Sequence, residues 1–276
     1  MCNDLDLGLE VNKAIEETKI DPSVQAALIT QVSDLLSIDR EKASHIVSEA
    51  ERLYKNRMQE RFSELKVRER LKRTNPFLVS IRSVRSVSEW ASFQIQSALF
   101  ASEEEAVGHL LEMIAKNCHP NATPPELPDD FDYQVVSANK ISAYQVKMSW
   151  DCMPMSTRKN LSNTIFNLTE HYATMGRQFE GIFAPCYGKA TTTMPKGQKY
   201  ISMRSREFWQ RVGNGDTDYD VKVGEVCGML CSEFRCEVQE KLIPQLIADL
   251  TNAAIPIIGN PDGTLSYRKL FRAINI

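Results

Sequence analysis

Residues 131–148 read FDYQVVSANKISAYQVKM, and their alternation decides the fold. Stretches 131–136 and 141–148 are two short runs rich in β-branched and aromatic residues at a period of two, joined by SANK at 137–140. That is the pattern of an antiparallel hairpin. If 137–140 close it, Val136 pairs with Ile141, Asp132 falls opposite Gln145, and Lys147 is the diagonal neighbour on the same face. The alternate face carries Phe131, Tyr133, Val135, Tyr144, Val146 and Met148. One face is expected to enter a core, while the other presents an acid, an amide and an amine in fixed relation.

Such a trio meets the needs of phosphodiester cleavage. A divalent cation beside a phosphate takes oxygen ligands, which Asp132 and the amide of Gln145 supply, with the Val146 carbonyl as a third. Lys147 would orient the attacking water and offset developing negative charge. Gln in place of a carboxylate removes one negative charge, so a further acid is expected to compensate. Glu112, Glu105 and Glu104, upstream, are the candidates. The spacing alone is weak: an acid or Gln two residues before Lys recurs at Glu17/Lys19, Glu64/Lys66, Asp220/Lys222 and Gln239/Lys241. Three of these fall in helical patterns, where i and i+2 do not share a face. Asp220/Lys222 lies in YDVKV, which reads as a strand, but the strand before it has no acid. Only Gln145/Lys147 has an opposed acid on a preceding strand.

Upstream, the first 74 residues read as helical. Asp21-Pro22 is a helix start, followed by Val24, Ala27, Leu28, Val32, Leu35 and Leu36 at helical spacing. Ser37-Ile38-Asp39 restarts a helix that meets no Gly or Pro until Asn75-Pro76, and it is expected to run through Lys72. A helix this long suits packing against a second subunit. Residues 1–74 are thus expected to be a dimerisation arm, and 75–276 a catalytic and recognition domain. Helices over 87–100 and 102–117 follow, the second opened by Ser102 and Glu105 as a capping box, then a proline-rich loop over 119–130. Downstream of the hairpin the pattern gives a helix over 157–175, strands at 179–186 and 200–203, a helix at 205–212, a loop at 213–216 and helix over 224–250.

The net charge is −3 over 276 residues, with charged residues at an ordinary 25%. That excludes a polybasic protein that binds by bulk charge. The average hides segments, however. Residues 1–65 hold eight basic against thirteen acidic side chains, 66–86 hold seven against one, and 189–211 hold six against Glu207 alone. Two basic stretches on an acidic background can grip a polyanion locally. No apolar run is long enough for a membrane span, and the N-terminus lacks a secretion-signal layout. Seven cysteines at irregular spacing form no disulfide framework, and Cys227, Cys231 and Cys236 lack the fourth ligand of a structural zinc site. A soluble, cytoplasmic chain is expected, with no membrane partner.

With these residues in place, the chain resembles the PD-(D/E)xK nucleases, and within them type II restriction endonucleases that cut short GC-rich palindromes with an unspecified central base. Asp132 and Lys147 match the family's acid and lysine. Gln145 departs from its second acid, as do the Mrr-like nucleases, which are similar in carrying Gln-x-Lys. NPFL at 75–78, SEEE at 102–105 leading to Leu111-Glu112, REFW at 206–209 and the patches at 262–264 and 269–275 are also similar. The resemblance covers about 75–276 and is weakest over the N-terminal helices. It implies an α/β fold with a mixed sheet flanked by helices, Mg2+ as cofactor, double-stranded DNA as substrate, and a homodimer in which each subunit cuts one strand of a palindrome. Arg158, Lys159, Lys189, Lys196, Arg204 and Arg206 are the expected DNA contacts, since Arg or Lys to guanine is the commonest base pairing. The rival readings are a repair or modification-dependent nuclease, suggested by Gln145, and a non-catalytic DNA-binding or helical interaction protein.

Overall fold

The hairpin forms, and a sheet grows from both of its edges. The computed structural model describes residues 20–63, 66–126 and 131–275. In it β1 (Ala122–Thr123) pairs antiparallel with β2 (Tyr133–Val136), and β2 pairs antiparallel with β3 (Lys140–Ser149). β4 (Gln178–Tyr187) and β5 (Ile201–Ser202) extend the sheet in parallel from β3, giving the order β1-β2-β3-β4-β5. The hairpin register is the expected one, with Val136 opposite Ile141 and Tyr133 opposite Tyr144. The 119–130 segment, read as loop alone, contributes the edge strand β1; its residues 127–130 lie outside the described residues.

One register expectation fails at the residue that matters most. The Asp132 amide donates to the Tyr144 carbonyl (2.8 Å) rather than keeping step opposite Gln145. A one-residue slip of this kind re-aims side chains as a bulge does. Phe131 accordingly leaves the face of Tyr133 and Tyr144 and packs with Ala143, Phe183, Leu161 and Ile165 in the opposite core. The polar face is also largely covered. β4 pairs alongside β3 and α6 (Met155–Thr174) packs on that layer, so Gln134 and Gln145 are buried. Parallel strands are commonly covered on both faces.

The helices follow the apolar spacing except where local satisfaction overrides a boundary signal. α1 (Pro22–Leu36) buries Leu28, Val32 and Leu36 as expected. α2 (Arg40–Ser63) does not continue through Lys72; α3 (Val67–Arg73) starts afresh after an extended Lys66. The reason is phase: Tyr54, Met58 and Phe62 face inward at steps of four, whereas Val67, Arg70 and Leu71 are the buried positions beyond, and an unbroken helix cannot bury both sets. Asn75 caps a short α4 (Pro76–Ile81) by accepting from the amides of Phe77 (3.0 Å) and Leu78 (3.2 Å). The two helices expected over 87–117 are one, α5 (Val87–Cys118). Ser102 is buried and donates to the Ala98 carbonyl (3.0 Å) within the helix, so it caps nothing. α7 (Ser205–Val212) matches its expected span. α8 (Tyr219–Ile258) begins at YDVKV, which is therefore helix and not strand, and α9 (Tyr267–Ile274) was not foreseen. The helical reading of residues 1–19 lies outside the described residues.

The described chain divides into two units, one comprising Glu51–Ala106 and the segment from Cys231, the other Ser23–Ala50 and Val107–Leu230. In the first, Trp90 Nε1 donates to Thr74 Oγ1 (3.2 Å) and the Tyr267 hydroxyl bonds the Val79 and Val84 carbonyls at 3.2 and 3.1 Å. The whole sheet belongs to the second unit. There the aromatic face of the hairpin buries Tyr133, Tyr144 and Val146, the two tyrosine rings stacked at 4.8 Å.

Candidate active site

Three charged side chains meet where β2 begins. Asp132 Oδ2 accepts from the Val146 amide (2.6 Å), which fixes the carboxylate against β3. Lys147, next on β3, places Nζ 4.0 Å from the same oxygen and is partly exposed. Glu112, from the last turns of α5, stands close enough to feel the charge of both Asp132 and Lys147. Burial, and then the neighbouring Asp132 charge, push the Glu112 carboxyl up to about 7, with Lys147 opposing. Of the three acids expected upstream, Glu112 is the one brought here. Glu105 instead bridges Arg57 (3.3 Å) and Arg61 (4.0 Å), and Glu104 is exposed.

Gln145 lies two residues before Lys147, on the same side of β3. Its side chain is 7% exposed, and its Oε1 has no hydrogen-bond partner. An orphaned buried acceptor is costly and is what an oxygen ligand looks like without its cation. Two carboxylates, an amide oxygen and the nearby backbone are hard-oxygen groups of the kind Mg2+ takes, and would be the donors here. Among the described residues no group of three or more His, Cys, Asp or Glu side chains is placed to hold a metal, so the amide is needed for the fit.

The aromatic layer next to the site is held by a residue the sequence reading passed over. His119 Nδ1 shares a hydrogen bond with the Tyr133 hydroxyl (2.8 Å), and its ring packs edge-on against Tyr144. Burial, and then the Arg211 charge, lower its pKa to about 4, so it is neutral. Its only sequence signal was its place just beyond the end of a helix.

The six basic residues expected to contact DNA fall into separate places. Arg158 is tied to the carbonyls of Met153 (2.9 Å) and Trp150 (3.4 Å), beside exposed Lys159 at the start of α6. Lys189, Arg204 and Arg206 line one cavity beyond the end of β4. Lys196 is exposed on the segment between β4 and β5, near the turn at Gly197. No helix among the described residues is long and apolar enough to cross a membrane.

A mixed five-stranded sheet flanked by helices, with an acid entering its second strand and an amide-x-lysine on its third, is a restriction-endonuclease-like fold. The family described as type II restriction endonuclease EcoO109I matches residues 40–231, more than half of the chain. The chain belongs to that family of nucleases. The match starts within the N-terminal helices, where the resemblance is weakest, and ends before the C-terminal patches. No curated protein matches the chain.

Proposed function

We propose that this chain is a Mg2+-dependent type II restriction endonuclease that cuts double-stranded DNA at a short GC-rich, interrupted palindrome, acting as a homodimer. The observation that carries the reading is the meeting of Asp132, Glu112 and Lys147, with the orphaned Gln145 oxygen two residues before Lys147 on β3, in a chain of the EcoO109I family. Asp132, Gln145, Glu112 and the Val146 carbonyl would hold the cation. Bound Mg2+ supplies polarisation of the phosphate and neutralises charge on the leaving oxygen. Asp132 enters already oriented, because the Val146 amide holds one of its oxygens. Glu112, its carboxyl raised to about 7 by burial and then by the Asp132 charge, holds a proton against Asp132 that it would have to give up to serve as a ligand. Lys147 orients the attacking water and balances the growing negative charge.

The GC-rich palindrome and the homodimer rest on the likeness to enzymes of this kind, and residues 1–74 are proposed as the dimerisation arm. Arg158, Lys159, Lys189, Lys196, Arg204 and Arg206 provide DNA contacts. Incubation with plasmid DNA tests the reading: discrete fragments are expected with Mg2+, and none with a chelator or with Lys147→Ala. A smear, or cutting by Lys147→Ala at the wild-type rate, would sink it. Discrete cutting of unmodified DNA decides against a modification-dependent nuclease, the reading that Gln145 otherwise invites.

A further inference from the structure

Gln145 Oε1 has a counterpart. The other described buried side-chain oxygen without a partner is Asp220 Oδ1, in the first turn of α8. Asp220 lines a cavity of about 460 Å³ with Tyr187, Lys189, Arg204, Arg206 and Val221. Lys147 pairs with Pro185 in the parallel ladder, Ser149 with Tyr187, and the lining begins just past that point. The cations around Asp220 do not neutralise it by default: Arg206 is committed to Asp218 Oδ1 (2.9 Å) and the Thr217 carbonyl (3.0 Å), and Lys189 Nζ to Thr193 Oγ1 (3.3 Å).

If the cavity with Lys189, Arg204 and Arg206 meets DNA, a carboxylate is its odd member, because it repels every phosphate. It is attracted only to hydrogen-bond donors, and in the major groove these are the amino groups of cytosine N4 and adenine N6. Arg204 is exposed on the same cavity, and a guanidinium presents two parallel N–H groups that match the O6 and N7 acceptors of guanine. A G·C pair is the one pair that shows two acceptors on its purine and a donor on its pyrimidine. We infer that this cavity is a G·C-reading subsite in which Asp220, through the oxygen other than its buried Oδ1, accepts from the cytosine N4 amino group while Arg204 contacts the paired guanine. The inference rests on the endonuclease reading and adds a specificity-determining carboxylate to a contact set otherwise made of cations. Tyr187 and Val221, both more than half exposed, supply apolar surface beside it.

Binding selection from a duplex pool with a randomised core, in Ca2+ to hold the site without turnover, separates the two readings. Wild-type chain is expected to enrich one site with cytosine at a symmetry-related position. Asp220→Ala is expected to lose preference at that position alone, by roughly 10-fold, and Arg204→Ala to lose it for the paired guanine. Replacing that cytosine with 2-pyrimidinone, the same ring without the amino group, should weaken wild-type by a similar factor and leave Asp220→Ala unaffected. Thermal melting of Asp220→Ala and Asp220→Asn is expected to match or exceed wild-type, because an unpartnered buried oxygen is removed or neutralised. Uniform weakening across all sequences, a destabilised fold in both variants, an A·T preference at the affected position, or unchanged preference would overturn the subsite. A wild-type chain that neither selects a sequence nor cuts plasmid would overturn the endonuclease reading itself.

Discussion

Lys147 and Glu112 both neighbour the Asp132 carboxylate, one as a cation and the other as an acid whose proton is held, so their removal should have different signatures. Lys147→Ala takes away the group that faces the developing negative charge while leaving the DNA-facing surfaces intact. Its cleavage rate is expected to fall roughly 100- to 1000-fold, with duplex affinity in Ca2+ little changed, measured by fragment yield and by filter binding. Glu112 gives a pH prediction. Its carboxyl rises from the ordinary 4.5 to about 7 through burial and the Asp132 charge, so the folded chain keeps this proton where the unfolded chain has released it. The resulting stabilisation is complete below about 4.5, declines as pH rises and is gone above about 7. In chelator, the denaturation midpoint of wild-type relative to Glu112→Gln is expected to be higher at about pH 5 than at about pH 7.5. A difference independent of pH would show that Glu112 is not held protonated.

At the scale of the elements, the close fit between β4 and α6 is open to a direct test. A Cβ added at Gly181 would stand 2.2 Å from Ile165 Cδ1 and 2.3 Å from its Cγ1, and Ile165 is itself locked in the core with Phe131 and Phe183. Gly181→Ala is expected to cost about 1–3 kcal/mol, read from urea denaturation, and to spare the register of the hairpin. That register was legible because a four-residue connection and a period of two leave one pairing that keeps both apolar faces together. What was not legible at Asp132 is the slip: it depends on the side chain capturing the Val146 amide, a contact no periodicity encodes. Ser102 and Glu105 misled for a related reason. They spell a cap, but Ser102 bonds its own helix and Glu105 pairs with Arg57 and Arg61, partners far away in sequence. The burial of Gln145 escaped too, because the hairpin was read without β4 beside it. Glu112 could be shortlisted from sequence, whereas choosing it over Glu105 needed the helix to be continuous.

For the molecule as a whole, the net charge of −3 is the sum of segments with opposed roles. One basic stretch carries α3 and α4; the other contains Lys189, Arg204 and Arg206, which share one cavity. A family of type II restriction endonucleases poses a symmetry question that one chain cannot answer alone: the chain carries one set of Asp132, Glu112 and Lys147, and a duplex has two strands to cut. If the homodimer is the working form, each site addresses one strand of a palindrome. Sedimentation at micromolar concentration without DNA is then expected to give a dimer. Dimers mixed from wild-type and Lys147→Ala subunits supply the sharper measurement, since each retains both DNA-reading surfaces and one intact site. On a supercoiled plasmid with one recognition site, the mixed dimer is expected to accumulate nicked circles at a rate near that of wild-type first-strand cutting. Linear product from the mixed dimer at the wild-type rate would mean that one site cuts both strands, and the two-fold arrangement proposed for this chain would have to be abandoned.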